Sequence, residues 1–263
     1  MKGFNLELIP AIYLAIPFLF LLILVNWTGY RFKVRYIKRF PGIEHVGIGP
    51  TEGSLLGLTA LLLSFTFGMA SNKYELRRQH LVTETNEIGK TILRCDLYPD
   101  SIRNLLRADL KNYLETRISY YNVGDDEDLI NRTLVQADSI SKIIWNKVAL
   151  LSHNRDYWTA TEQMVPSLNA MIDIVITREA GRKAMVPHLI LVVLGILILV
   201  SAFLSGYGSK NLERNNVLVI AFAIMTTLAL YLIIDLDRPR QGFVNLEAAQ
   251  QLMVDLRSNF SEK

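Results

Sequence analysis

Residues 53–98 read GSLLGLTALLLSFTFGMASNKYELRRQHLVTETNEIGKTILRCDLY, and the change of character along this stretch decides the fold. Its first 18 residues, 53–70, carry no charge. That is a short but sufficient length for a helix to cross a bilayer. Ser54, Thr59, Ser64 and Thr66 are interleaved with Gly57 and Gly68. Small and hydroxylated residues favour close helix packing in lipid; the same residues could also line a water-filled path, and both readings stay open. Nothing breaks the helix at Ala70. No proline follows until Pro99, and Leu81, Ile88 and Ile92 recur at helical spacing. The stretch predicts one long helix that leaves the membrane and continues into a soluble region.

Outward toward the N-terminus, residues 8–30 form a first span of 23 uncharged residues. Pro10 and Pro17 are its candidate kinks, and Trp27 and Tyr30 sit where an interfacial aromatic belt is expected. Lys2 is the only basic residue before the apolar run and no A-x-A site follows it, so it reads as a retained anchor and not as a cleaved signal. A basic run follows (Arg31, Lys33, Arg35, Lys38, Arg39), then a Gly/Pro-rich turn over 41–53.

Outward toward the C-terminus, Asp100 or Ser101 can cap a helix to about Tyr121. A polar turn over 122–126 leads to a helix over 127–151, and a break at 152–156 leads to a last soluble helix interrupted near Pro166. Residues 185–207 and 217–234 are two further spans. The short loop between them, with Lys210, Glu213 and Arg214, permits only an antiparallel pair. No strand-like alternation occurs. The expected fold is all-α: spans one and two in residues 1–70, a helical soluble domain over 71–184, spans three and four over 185–235, and a tail over 236–263 that ends in a short amphipathic stretch.

Composition agrees with spans plus a polar domain: of 263 residues 51% are hydrophobic and 20% charged, with a mean hydropathy of +0.24. A net charge of +3 is too mild and too dispersed for a nucleic-acid binder. Cys95 is alone, so no intramolecular disulfide forms, and it reads as a packed small residue. His45, His80, His153 and His188 are scattered without a metal-ligand spacing. No phosphate loop, dinucleotide fingerprint or nucleophile elbow is present. Neither a cofactor, a metal site nor an enzyme is expected.

Two constellations stand out. In Asn72-Lys73-Tyr74-Glu75-Leu76-Arg77-Arg78, the cations Lys73, Arg77 and Arg78 fall within about one and a half helical turns. They read either as interfacial anchors or as a basic vestibule that concentrates anions. In Asp235-Leu236-Asp237-Arg238-Pro239-Arg240, acids and arginines surround a proline. They read as a salt-bridged helix stop, or as a lock of the spans against the soluble domain built on Asp235, Asp237 and Arg238.

On these residues the chain resembles bestrophin channels. SFTFGMASNKYELRRQHLVTETNEIG is similar to the segment in which a bestrophin pore helix leaves the membrane, with Lys73 and Tyr74 in the places of an Arg-Trp pair and Arg78 in that of a later basic residue. DLDRPRQGFVNLEAAQQLMVDL resembles the family's acidic-Pro-Phe-Gly stretch, and the spans and their spacing agree over nearly the whole chain. The nearest likeness is to the bestrophin-like family of unknown function in bacteria. The resemblance implies a homo-oligomeric ion channel, anion-conducting with chloride as the candidate ion. It further implies a pentamer in the bilayer of the bacterial inner membrane, with second spans around a central pore. Leu58, Leu61, Leu62 and Phe65 are then the candidate constriction. Leu58, Leu61 and Phe65 share one helix face, and a ring of such side chains could gate by dewetting; the same face could simply pack against another span.

A second class stays open: a non-conducting scaffold or sensor whose helical domain binds a cytosolic partner. It rests on the absence of the family's paired tryptophans and of an acidic calcium-binding cluster in the tail. For orientation, the resemblance places domain and termini in the cytoplasm, whereas the five cations after span one favour the opposite. Counting Lys and Arg near all span ends gives ten on the side of the domain (2, 73, 77, 78, 90, 178, 182, 183, 238, 240) and seven on the other (31, 33, 35, 38, 39, 210, 214). The expectation is a cytoplasmic domain.

Overall fold

The computed structural model describes residues 10–40, 49–208, 216–238, 240 and 242–260. Eight α-helices follow in order: α1 Ala11–Arg39, α2 Gly49–Arg94, α3 Asp100–Asn122, α4 Glu127–Leu151, α5 Trp158–Lys183, α6 His188–Tyr207, α7 Asn216–Asp237 and α8 Glu247–Asp255. No strand occurs among the described residues. Parts of α1, α2, α6 and α7 are each long and apolar enough to span a membrane. The fold is an all-α, four-span membrane protein with a helical domain inserted between spans two and three.

The chain divides into two compact units, Met1–Lys73 with Met185–Val244, and Tyr74–Ala184 with Asn245–Lys263. The boundary falls inside α2, which runs 46 residues without interruption, as the lack of a breaker after Ala70 predicts.

In the span unit α1 packs on α6 and α7. The α1–α6 contact is made by glycines. A Cβ on Gly29 would stand 2.1 Å from the Phe203 carbonyl oxygen, and one on Gly206 would stand 2.0 Å from that of Asn26. Only hydrogen fits, so the backbones meet directly and gain dispersion contact that lipid cannot match. Asn26 Nδ2 donates to the Ala202 carbonyl (3.1 Å) and Ser201 shares a hydrogen bond with Thr59 (2.9 Å).

In the helical domain the α2 stripe predicted from spacing lies in the core. Leu81, Ile88 and Ile92 of α2 meet Leu106, Leu110 and Leu114 of α3, Ile144 and Val148 of α4, and Met164, Leu168 and Met171 of α5, all closed to solvent. Met253 of α8 joins the same core, so the tail's amphipathic stretch is part of this unit.

Several boundaries differ from the sequence reading. The basic run after span one is helical through Arg39, and Arg31 lies over the Trp27 ring at 4.0 Å. α2 begins at Gly49, not Gly53, because Pro50 lies in the first turn, where a missing N–H costs nothing. α3 has Pro99 at its cap position with no side-chain cap; Asp100 pairs with Arg103 instead, at 3.0 Å. Asp126 caps α4 through the N–H groups of Asp128 and Leu129. α5 runs unbroken through Pro166; burial of Met164, Leu168 and Met171 around it offsets a defect of about 3 kcal/mol. α6 starts at His188, after Pro187. The expected start of span one at residue 8, the turn over 41–48 and the loop with Lys210, Glu213 and Arg214 lie outside the described residues.

Candidate functional site

One face of α2 is open. Leu58, Leu61 and Phe65 are 51%, 53% and 62% exposed, and Leu62 beside them is half-buried. The open face also carries Ser54, Gly57, Ser64 and Gly68, and Cβ atoms on either glycine would meet nothing within 4 Å. The four hydroxyl residues therefore separate by type. Thr59 and Thr66 are buried and donate to the carbonyls of Leu55 and Leu62 (2.8 and 2.7 Å), while Ser54 and Ser64 lie on the open side. The open faces of α6 and α7 differ in chemistry: Leu189, Val192, Val193, Ile196 and Val200 on α6, and Val217, Leu218, Ile220, Ile224, Met225 and Leu228 on α7.

Beyond the span the three cations take separate tasks. Lys73 is half-buried. Arg77 is buried and donates through Nε to the Gly181 carbonyl (3.1 Å) and through Nη2 to that of Ala184 (2.7 Å). A cation there neutralises the unsatisfied carbonyl end of α5. Arg78 is exposed and forms a two-pronged pair with Glu75, at 2.9 and 2.8 Å. The hydrogen bond from Arg78, helped by that from Gln79, holds the Glu75 carboxyl down to about 2. Next to them, the Tyr74 hydroxyl donates to the Asn245 carbonyl (2.9 Å).

At the end of α7, Asp235 and Asp237 are buried as deeply as core leucines. Asp235 accepts from the Tyr231 hydroxyl (3.2 Å) and from the backbone N–H groups of Phe243 (3.3 Å) and Val244 (2.9 Å). Gly242 permits this turn, since its Cβ would stand 2.2 Å from the Asp235 carboxylate. Both oxygens of Asp237 accept the Val186 N–H, each at 3.1 Å. The acids thus serve orphan backbone donors at the entry to α6 and after α7. Arg238 is half-buried and itself engaged.

Sequence reading missed one group altogether, in the helical domain. Glu84 of α2 is fully buried and pairs through Oε1 with Arg117 Nε of α3 and through Oε2 with Arg178 Nη1 of α5. The Tyr120 ring lies under both guanidinium groups, 4.5 and 4.9 Å from ring centre to Cζ. Its hydroxyl donates to Glu179 (2.7 Å), which binds Arg182 (2.7 Å). Burial would raise the Glu84 carboxyl, but the two arginines overrule it and hold it well below the carboxylate range. The signal was available: Glu84 and Arg117 interrupt apolar stripes, at Leu81-Glu84-Ile88 and Leu110-Tyr113-Leu114-Arg117.

Cys95 is sealed in the domain core, where burial pushes its thiol up to about 12, which leaves it a packing residue. His80 abuts Gly181, His153 is exposed and His188 opens α6; His45 is outside the described residues. No group of three or more metal-ligating side chains occurs among the described residues.

With this architecture the comparisons agree. The profile of the Bestrophin-like domain matches residues 49–250, most of the chain. The chain belongs to the bestrophin-like family. Crystal structures of a bacterial bestrophin homologue from Klebsiella pneumoniae share the fold. A form phased on zinc has TM-score 0.73 at 14% identity, over 94% of this chain and 99% of that one. Two point mutants give TM-score 0.74, at 13% identity over 94% and 99%, and at 14% over 96% and 98%. At such identity the likeness concerns the fold of this bestrophin-like chain. No curated protein matches the sequence.

Proposed function

We propose that the chain is a subunit of a homo-oligomeric, anion-conducting channel, a pentamer in the cell membrane, with α2 lining a central path. The observation that carries this reading is the contrast between open faces. Between their ends, those of α6 and α7 carry aliphatic side chains and Met225, suited to acyl chains. That of α2 alternates Leu58, Leu61 and Phe65 with Ser54, Gly57, Ser64 and Gly68, a mixture suited to a narrow, intermittently wet path.

Leu58, Leu61, Leu62 and Phe65 form the constriction, and their ring gates by dewetting. Lys73 and Arg78 supply positive potential at the mouth. Arg77 acts there indirectly, since its donors are committed to the end of α5. Asp235, Asp237 and Arg238 are the lock that fixes the ends of the last two spans. The helical domain and both termini face the cytoplasm.

Planar-bilayer recording of the purified oligomer in chloride tests the reading. Single-channel currents are expected, and Leu61→Thr should raise open probability by wetting the constriction. A folded oligomer that passes no current under any condition overturns the channel and returns the chain to a scaffold or sensor. Orientation is tested by fusions after Lys263: a periplasm-dependent phosphatase should stay silent and a fluorescent protein should glow.

A further inference from the structure

The charges around Glu84 do not balance. Arg117 and Glu84 are fully enclosed and Arg178 is 8% exposed, so two guanidinium cations meet one carboxylate. Both carboxylate oxygens are already used, one by each arginine. Arg117 still has two nitrogens, Nη1 and Nη2, enclosed by protein with no acceptor within hydrogen-bond reach. The other groups that face this point do not supply one. Tyr120 presents its ring face and turns its hydroxyl to Glu179. The Tyr113 hydroxyl reaches toward the Met171 carbonyl, at 3.5 Å. Glu179 is occupied by Arg182, Lys183 and Tyr120.

An unpaired buried cation carries a desolvation cost that folded proteins avoid. A guanidinium presents its Nη hydrogens as a planar pair of donors suited to an anion. Water at that edge would satisfy the hydrogen bonds and leave the extra charge. An anion would satisfy both.

We propose that the helical domain holds one small monovalent anion of halide size against the Nη1–Nη2 edge of Arg117. It completes a neutral cluster of Arg117, Arg178, Glu84 and the ion. The site lies in the core of the helical domain, on residues of α2, α3 and α5 outside the α2 open face, and it needs no conduction. It fills as the domain folds and exchanges slowly, because the Nη atoms are closed to solvent.

The test uses the full-length purified protein. Crystals grown in bromide should give an anomalous peak at the Arg117 Nη edge. Thermal unfolding at fixed ionic strength should shift upward by a few degrees, saturably, when gluconate is replaced by chloride or bromide. Arg178→Met leaves Glu84 and Arg117 as a neutral pair with the Nη edge intact, and should weaken the halide dependence at least tenfold. If that variant does not fold, the bromide map of the unchanged protein decides alone. Water density at the edge without an anomalous peak, or equal unfolding temperatures in gluconate and chloride, overturns the proposal.

Discussion

Asn26 and Ser201 in the span unit and Glu84 and Arg117 in the helical domain are hidden from solvent to a similar degree. Their surroundings treat them differently. Midway along the spans the polar groups are neutral: Asn26 donates across the α1–α6 contact that two glycines have already drawn tight, and Ser201 shares a hydrogen bond with Thr59 of α2, while the buried acids Asp235 and Asp237 sit at the end of α7 on backbone N–H groups. In lipid there is no hydrophobic gain in bringing helices together, so association depends on close backbone approach and a few hydrogen bonds. The helical domain has a hydrophobic core to hold it, and it places whole charges inside that core, bridged across three helices. The α1–α6 contact is therefore sensitive to volume and the Glu84 cluster to charge.

The largest effect is expected where charge balance is broken. Glu84→Gln keeps the shape of the side chain but leaves two buried arginines without their counter-charge. By comparison with broken buried pairs it should cost about 3–5 kcal/mol, read as a lowered midpoint of denaturant or thermal unfolding. The pH dependence follows from the depressed Glu84 carboxyl. A group whose folded pKa lies below its unfolded value contributes stability that is present above the unfolded value, about 4.3, and is lost as pH falls toward the folded one. The unaltered protein should lose stability more steeply than Glu84→Gln as pH drops below about 4.3. Equal acid profiles would show that Glu84 is not ionised in the fold.

Volume is the next lever. Gly206→Ala puts a methyl 2.0 Å from the backbone oxygen of Asn26, where no flexible side chain can give way. A cost of about 1–3 kcal/mol or more is expected, measured by unfolding in mixed detergent micelles. Gly57→Ala, with nothing within 4 Å of its Cβ, should leave stability unchanged; an altered current from that variant would support α2 as the lining helix. Asp237→Asn belongs lower on the scale. It keeps an acceptor for the Val186 N–H but loses the charge assistance, worth about 1 kcal/mol.

The sequence disclosed elements and faces better than partners. Apolar spacing placed Leu81, Ile88 and Ile92 in the core, because helical period is a local property of the chain. Span number followed from uncharged length in the same way. It could not disclose that Arg77 serves the carbonyls of Gly181 and Ala184, more than a hundred residues away. Nor could it show that Asp235 and Asp237 receive backbone N–H groups where local ion pairs were expected. Those are facts of tertiary placement. Pro166 reads locally as an interruption, yet α5 continues through it because core contacts on both sides override a local helix breaker.

The smallest effect expected belongs to the Glu75–Arg78 pair of α2, which the proposed channel would carry at its mouth. The side chains of Arg78 and Glu75 are 49% and 41% exposed, so their mutual stabilisation is weak and neither substitution should move the unfolding midpoint measurably. Their field is a different matter. In the native state they cancel, and Arg78 contributes little net potential. Glu75→Gln removes the cancelling charge and should raise anion over cation permeability. Arg78→Glu leaves two like charges one turn apart and should shift the ratio the other way. With screening over about 8 Å at physiological salt, each change should amount to about two- to tenfold, growing as ionic strength falls. Reversal potentials in asymmetric salt measure it. Opposite shifts from the two variants would assign the pair to the mouth of the path. Unchanged selectivity in both, with normal assembly, would make the pair a surface anchor and leave Lys73 as the cation to test next.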